Sequence, residues 1–161
     1  MELWLLRHAA AEDRSPSGRD ADRALTPDGM RRAEAVARGL ASLEPRIQRV
    51  ISSPYKRALQ TARPAAEALG LRVEESEALE PERDPGEILL EVSEGEGHAL
   101  LVGHQPHLGL LFGLLVAGPR VELPMKKASI ARLSVEGRWS ATLRAYLPPS
   151  VLEALAGRGD R

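Results

Sequence analysis

The chain has 161 residues, of which 43% are hydrophobic and 28% charged. That size and composition suit one compact globular domain with its own core. Lys and Arg number 22 against 23 Asp and Glu, so no overall charge attracts the chain to nucleic acid or to an anionic membrane. Without Cys, thiol catalysis, disulfides and thiolate metal sites are excluded. Residues 1–6 are too short for a signal peptide or a membrane anchor, and we therefore expect a cytoplasmic protein.

The first half of the chain alternates short apolar runs with segments of helical periodicity. Thr26 followed by Pro27 is typical of a helix start, because the hydroxyl caps the first turn and proline fits the first helical position. Polar residues with Gly and Pro between 13 and 24 indicate a loop, and a loop of that length is more often functional than idle. The predicted elements are strands at 2–6, 50–52 and 71–73, helices at 27–43 and 55–69, and the loop at 13–24.

The second half continues this alternation and includes a hairpin. Alternating strands and helices predict an α/β fold, a three-layer α/β/α sandwich whose central sheet is mostly parallel with one antiparallel edge. We expect residues 1–161 to form a single domain. The predicted elements are a loop at 77–86, a short helix at 88–92, a glycine turn at 95–97, a strand at 99–102, a helix at 106–116, paired strands at 129–135 and 139–146 around a turn at 136–137, and a helix at 150–156.

Basic side chains stand at the carboxyl end of three predicted strands. Arg7 and His8 follow the first, Arg57 lies at the helix start after the second, and His104 follows the strand at 99–102. Because ligands of open α/β sheets bind beyond the carboxyl ends of the strands, we expect these four side chains to converge. Arginine forks match the oxygens of a tetrahedral oxyanion. The sequence therefore predicts a phosphate site.

The residues around the two histidines favour an anion site over a metal site. Neither a thiolate nor an acidic pair accompanies the histidines at metal-ligand spacing, so we expect no metal ion and no other cofactor. A histidine that binds no metal can act as a nucleophile in such a site.

Four segments resemble motifs of the histidine phosphatase superfamily. Leu-Arg-His-Ala at 6–9 resembles its Arg-His-Gly signature, and Ser-Pro-Tyr-Lys-Arg-Ala-Leu-Gln-Thr at 53–61 resembles its Ser-Pro-x-x-Arg-Ala-x-Gln-Thr motif. Gly-His-Gln-Pro at 103–106 resembles the second-histidine motif. Asp-Arg-Ala-Leu-Thr-Pro-Asp-Gly at 22–29 resembles the loop-to-helix junction of the small SixA-type phosphohistidine phosphatases. The matches follow the family order along nearly the whole chain.

The resemblance implies a phosphoglycerate mutase-like fold and a role for each of four residues. His8 would accept the phosphoryl group, while Arg7, Arg57 and His104 would hold its oxygens. In-line transfer to His8 would be followed by hydrolysis of phospho-His8 by water. Nearby positive charge disfavours the imidazolium form, so we expect His8 to be neutral and nucleophilic near neutral pH.

Two positions depart from the family pattern. Ala9 stands where the signature has glycine, which narrows the backbone freedom after the nucleophile. Members that cleave phosphate esters usually carry a Glu as general acid after the third strand, and here Pro81 occupies that place. Glu80 and Glu82 remain possible acids, with Asp84 as a further candidate.

The remaining histidines and the arginines of the long loop are weaker candidates for the phosphate site. We predict His98 at the edge of the sheet and His107 exposed to solvent. Arg14, Arg19 and Arg23 lie in the long loop, where substrate contact and plain solvation are equally good interpretations. Arg23 is retained as a candidate for substrate binding.

The leading hypothesis is a phosphatase that hydrolyses phosphohistidine on a protein. In family terms, the short chain leaves little room for the insertions that enclose small substrates in larger relatives. One alternative is a phosphatase of a small metabolite, with the loop at 13–24 as a lid, and another is a non-catalytic phosphoprotein-binding module. The expected partners are a phosphorylated protein of the histidine-phosphotransfer type or a small phosphate ester, without nucleic acid or membrane.

Overall fold

The computed structural model describes residues 1–94 and 97–157. In these ranges a six-stranded sheet is flanked by helices on both faces. No helix in the described ranges combines the length and apolar character needed to cross a lipid bilayer. The strands are β1 (Glu2–Arg7), β2 (Ile47–Ser52), β3 (Val73–Glu75), β4 (His98–Gly103), β5 (Ile130–Gly137) and β6 (Ser140–Leu147), and the α-helices are α1 (Pro27–Ala41), α2 (Lys56–Ala68), α3 (Pro85–Glu94), α4 (His107–Val116) and α5 (Pro149–Ala156).

The strands lie in the order β3-β2-β4-β1-β5-β6. The first four of these pair in parallel, whereas β5 runs antiparallel to β1, and β6 antiparallel to β5. This arrangement confirms the predicted mostly parallel sheet with an antiparallel edge. Strands β1 and β4 are neighbours in the middle of the sheet, with Arg7 opposite Gly103, so their carboxyl ends lie side by side.

Side chains of β1 point alternately into two hydrophobic clusters, one on each face of the sheet. Trp4 and Leu6 pack in the cluster formed with α1, α2 and α5, while Leu3 and Leu5 pack in the cluster formed with α3 and α4. Successive residues of a strand face opposite sides, and burial of each of the three leucine side chains contributes about 1.5–3 kcal/mol. The two clusters confirm the three-layer α/β/α sandwich.

Helix α1 is capped by a side chain at its start and packs closely against α5 further along. The Thr26 hydroxyl accepts a hydrogen bond from the Gly29 N–H at 2.9 Å, which caps the helix as the sequence predicts. Further along α1, Gly39 lies against the backbone of Leu152, and a Cβ at position 39 would overlap the Leu152 carbonyl oxygen. Glycine is therefore required where the two helices approach.

Two predictions near β3 are wrong. The strand predicted at 71–73 begins and ends two residues later, because its ladder with β2 starts where Val73 pairs with Val50. The segment predicted as a loop at 77–86 contains a 3-10 turn, Glu77–Leu79, and the first two residues of α3, which Pro85 begins. Proline is well suited to a first helical position, and here that signal outweighs the acidic, turn-like composition.

Smaller differences concern the hairpin and the end of α1. The turn predicted at 136–137 lies at 138–139, because Gly137 still pairs with Ser140. The helix predicted to reach residue 43 ends at Ala41. Of the glycine turn predicted at 95–97, residues 95–96 lie outside the described residues.

The two histidines outside the predicted phosphate site, His98 and His107, lie in other surroundings than the sequence predicted. His98 begins β4, a central strand rather than an edge strand, and its Nδ1 accepts a hydrogen bond from the Glu2 N–H at 2.8 Å. His107 is fully buried in the first turn of α4 and is not exposed. Burial of this polar ring depends on how α4 packs, which the local sequence does not reveal.

Candidate active site

Three strand ends meet at one edge of the sheet. The His8 N–H donates to the Gly103 carbonyl oxygen at 3.0 Å, and the Ser53 N–H donates to the Val102 carbonyl oxygen at 2.9 Å. These backbone bonds continue the parallel ladder beyond β1 and β2. They place the rings of His8 and His104 with centroids 5.2 Å apart.

His8 is held in a single tautomer. Its ring is 7% exposed, and Nδ1 lies 2.7 Å from the Ala9 carbonyl oxygen. A carbonyl oxygen can only accept, so Nδ1 carries the proton and Nε2 of the neutral ring has a free lone pair. Burial, together with the charges of Arg57 and Arg7, lowers the pKa of His8 to about 4, even though the hydrogen bond to Ala9 acts in the opposite direction. The largest cause is burial, although the sequence pointed only to nearby positive charge.

His104 is buried beside His8 and is held by Ser53. Its Nε2 forms a 2.8 Å hydrogen bond with the Ser53 hydroxyl, and the Tyr55 ring packs edge-on against the imidazole at 5.1 Å between centroids. Burial lowers the pKa of His104 to about 2, followed by the positive charge of Arg57. The ring is therefore neutral and fixed in orientation.

Arg57 lies in the first turn of α2 with its guanidinium buried. Its terminal nitrogens donate to Asp20, Nη1 to the backbone oxygen at 2.8 Å and Nη2 to Oδ2 at 3.0 Å. The guanidinium carbon lies 5.1 Å from the Tyr55 ring centroid, in cation–π contact. The helix start, the aromatic ring and the carboxylate together fix this side chain.

Arg7 ends β1 and faces the loop that precedes β5. Its Nη1 donates to the Met125 carbonyl oxygen at 2.6 Å, and the Ala128 N–H donates to the Arg7 carbonyl oxygen at 3.0 Å. Burial lowers the pKa of Arg7. The loop at 125–128 is thereby attached to the residue next to His8, and the charge of its Lys127 helps to lower the His8 pKa.

Several buried polar atoms at this edge have no hydrogen-bond partner among the described residues. They include Nε of Arg7, Nε of Arg57 and Nδ1 of His104. A buried polar group without a partner costs about 1–3 kcal/mol, and more when the group is charged. Two of the three are N–H donors on guanidinium groups, which suits an anionic ligand with several oxygens.

Arg23 joins the cluster indirectly. Its Nε donates to the Glu12 carbonyl oxygen at 2.7 Å, and its Nη1 donates to Oδ1 of Asp20 at 2.8 Å. Asp20 thus bridges Arg23 to Arg57. A contact between Arg23 and substrate stays a prediction.

The two candidate acids do not contact the histidines. Glu80 and Glu82 lie close enough to Tyr55 for their charges to raise its pKa, after the larger effect of burial. Within residues 1–94 and 97–157, neither forms a hydrogen bond to His8 or His104. In the same ranges, no group of three or more His, Asp or Glu side chains could hold a metal ion.

Three residues that contact the basic side chains of the site were not identified from the sequence. Asp20 lies in the loop at 13–24, three residues before Arg23, and that spacing is the signal that could have identified it. Ser53 and Tyr55 belong to the motif at 53–61, but their contacts with His104 depend on the fold.

Comparison with known proteins identifies the family. Residues 3–90 match the family described as histidine phosphatase superfamily (branch 1). An uncharacterized protein of Picosynechococcus sp. is 36% identical over 139 residues, which cover 83% of this chain and 84% of that protein. The chain therefore belongs to the histidine phosphatase superfamily, and within it is of the SixA type.

Solved structures agree with that assignment. The protein histidine phosphatase SixA, in its complex with tungstate, is 26% identical, with a TM-score of 0.84 over 94% of this chain and 99% of that one. A protein of Nakamurella multipartitia, named as a candidate phosphohistidine phosphatase SixA, is 31% identical, with a TM-score of 0.72 over 92% of this chain and 95% of that one. The phosphoglycerate mutase-like fold is confirmed, and the chain is a phosphatase of this superfamily.

Proposed function

We propose that this phosphatase hydrolyses phosphohistidine on a protein and that His8 accepts the phosphoryl group. The observation that carries the proposal is the buried, neutral His8, whose Nε2 is unprotonated, in the same cluster as the Nε–H donors of Arg7 and Arg57, which have no partner in the described part of the chain. A neutral imidazole is the nucleophile that phosphoryl transfer requires, and fixed guanidinium groups stabilise the charge on the transferring oxygens.

The reaction has two displacements at phosphorus. The Nε2 lone pair forms a bond to phosphorus while the phosphorus–nitrogen bond of the substrate breaks, and its electron pair stays on the leaving imidazole. Water then attacks phospho-His8, the bond to Nε2 breaks, and inorganic phosphate takes up the proton from water. Arg7, Arg57 and His104 hold the oxygens in both steps, so catalysis consists of positioning and charge stabilisation.

The leaving group distinguishes phosphohistidine from phosphate esters. An alkoxide needs a proton delivered in the transition state, a contribution of about 10² to 10⁴ in rate. Phosphohistidine carries that proton on its other ring nitrogen and departs as neutral imidazole. Pro81 at the family's acid position and the lack of contact between Glu80 or Glu82 and the described histidines support this substrate. The similarity to a protein histidine phosphatase supports it as well.

The test compares kcat/KM for three substrate types: a phosphohistidine protein, an aryl phosphate and an alkyl phosphate such as a phosphosugar. We expect efficiency to fall in that order, because the leaving groups become more basic. Glu80→Gln and Glu82→Gln should leave the first activity unchanged. An alkyl phosphate cleaved as well as phosphohistidine, with that activity removed by one of these substitutions, would show that a general acid is present.

The second candidate is a phosphatase of a small metabolite. One observation favours it: the loop at 13–24 lies against Arg57 through Asp20, as a lid over a small substrate would. The same comparison of substrates decides between the two. Absence of turnover with every phosphorylated compound would instead favour a non-catalytic phosphoprotein-binding module. A single domain over residues 1–161 and a cytoplasmic location are further parts of the proposal.

A further inference from the structure

Among the described residues, the Arg57 guanidinium donates hydrogen bonds only to Asp20. Asp20 accepts hydrogen bonds from both terminal nitrogens of Arg57, through its backbone oxygen at 2.8 Å and through Oδ2 at 3.0 Å. The Nε of Arg57 is buried and has no partner among the described residues. A guanidinium group presents its donors in one rigid plane, so a contact that holds its end also sets the direction of its Nε edge.

Asp20 approaches Arg57 from the solvent side. The Asp20 side chain is 57% exposed, whereas that of Arg57 is 5% exposed. The carboxylate therefore lies at the outer end of the guanidinium, and the unpaired Nε lies in the buried interior. This arrangement leaves the inner edge of Arg57 available to the phosphoryl oxygens.

Asp20 is itself held in place. Its Oδ1 accepts from Arg23 Nη1 at 2.8 Å, and Arg23 Nε donates to the Glu12 carbonyl oxygen at 2.7 Å. The hydrogen bond from Arg23, more than that from Arg57, lowers the pKa of the Asp20 carboxyl. The group is thus a fixed, ionised acceptor, and the loop at 13–24 transmits its position to Arg57.

We infer that Asp20 is a positioning residue for the phosphatase reaction: it fixes the plane of the Arg57 guanidinium so that the Nε edge faces the transferring phosphoryl group. The inference rests on the proposed function. Its physical basis is that misplacement of a catalytic group by about 1 Å can cost roughly 10²-fold in rate. The opposite role would be competition, in which the Asp20 carboxylate takes donors that phosphate oxygens need.

The two roles predict opposite changes in oxyanion affinity. Tungstate binding is measured by calorimetry, and kcat and KM are measured with an aryl phosphate. For Asp20→Ala, positioning predicts tungstate binding about tenfold weaker and kcat about 10- to 100-fold lower, since a charge-assisted hydrogen bond is lost. Asp20→Asn, which keeps an acceptor oxygen but no charge, should recover part of both.

Asp22→Asn is the matched control. Asp22 lies in the same 3-10 turn, Asp20–Asp22, but bonds to Ser17 and Arg19 rather than to Arg57. We expect its kcat and tungstate affinity to equal those of the wild type. A second control is the double variant: in an Arg57→Ala background, Asp20→Ala should change kcat by less than about twofold, because groups that act as a unit are non-additive.

Three results would overturn the inference. The first is tighter tungstate binding by the Asp20→Ala variant, and the second is a tungstate affinity and kcat equal to those of the wild type. The third is a decrease in kcat on Asp20→Ala that is as large in the Arg57→Ala background as in the wild type. A wild-type protein that binds tungstate but hydrolyses no phosphorylated compound rejects the proposed function alone, and Asp20 is then judged on binding. A wild-type protein that does not bind tungstate rejects both.

Discussion

His8 is oriented by a backbone carbonyl rather than by a carboxylate. The Nδ1 proton is directed to the Ala9 oxygen, and the charges that act most on the ring are the positive ones of Arg57, Arg7 and Lys127, which disfavour an imidazolium. This agrees with the low pKa of the ring. It also suits a nucleophile that must form a bond to phosphorus, in contrast to a histidine that must take up a proton as general base.

Replacement of His8 tests its role directly. We expect His8→Ala to abolish turnover, because in the described part of the chain the Nε2 atom of His104, the counterpart of the His8 atom that would attack phosphorus, is bonded to Ser53. Rapid quenching of the wild type should trap acid-labile phosphate on residue 8. His98→Ala, at the amino end of β4, is the control and should retain activity. Substantial turnover by His8→Ala would refute the assignment.

We expect Arg57 to increase the rate of hydrolysis by stabilising the transition state. Arg57→Ala should lose about 2–4 kcal/mol of transition-state stabilisation, by analogy with removal of an oxyanion donor. The measurement is kcat/KM with an aryl phosphate. Arg63→Ala is the matched control, since Arg63 is an exposed residue of the same helix. A decrease of less than about tenfold, or 1.4 kcal/mol, would show that Arg57 does not hold the transferring group.

At the scale of elements, the strand ends could be predicted and the loop contacts could not. Arg7, His8 and His104 follow apolar runs, and parallel strands necessarily bring their carboxyl ends together. Asp20 is different, because the path of a 12-residue polar loop over α2 is set by tertiary contacts. The prediction that His107 is exposed failed for a related reason, because the segment at 78–84 covers this side chain. The carbonyl groups of Asp84 and Ala78 partly offset the lowering of the His107 pKa by burial.

The contact between α1 and α5 gives a prediction about stability. Gly39→Ala would place a methyl group on the Leu152 carbonyl oxygen, and the backbone of α5 must shift to accept it. Overpacking of this kind costs about 1–3 kcal/mol. Urea denaturation should show that loss in the free energy of unfolding, whereas Gly137→Ala, with no atom within 4 Å of the new Cβ, should show much less. Equal stability of the two variants would contradict the helix contact.

At the scale of the whole molecule, three buried histidines make stability depend on pH. Burial lowers the pKa of His8, His104 and His107 below the ordinary value of 6.5. Below pH 6.5 the unfolded chain therefore binds more protons than the folded one. The contribution of the histidines to stability is fully present above that pH and is lost as the pH falls, down to about 4 for His8 and about 2 for His104. The slope reaches up to about 1.4 kcal/mol per pH unit for each histidine.

Denaturation by urea at pH 7, 6 and 5 measures this slope. Paired carboxylates such as Glu2 and Glu74, whose pKa values are lowered from 4.5, lose their contribution mainly below that window. His107→Leu, away from the phosphoryl site, should reduce the slope by up to about one third. A free energy of unfolding that is constant from pH 7 to pH 5 would rule out neutral burial of these rings.

Of the six strands of the sheet, β1 comes first along the chain but is among the last to acquire both of its neighbours. It pairs with β4 on one side and with β5 on the other, so its ladder needs residues up to 134. A ribosome adds about 5–20 residues per second, and the completed strand therefore waits roughly 6–25 seconds for its second partner. During that time its apolar residues are open to chaperones and to misassociation. Because His8 directly follows this strand, we expect a nascent chain that lacks β5 to leave His8 without its fixed surroundings, so that activity requires synthesis at least through β5.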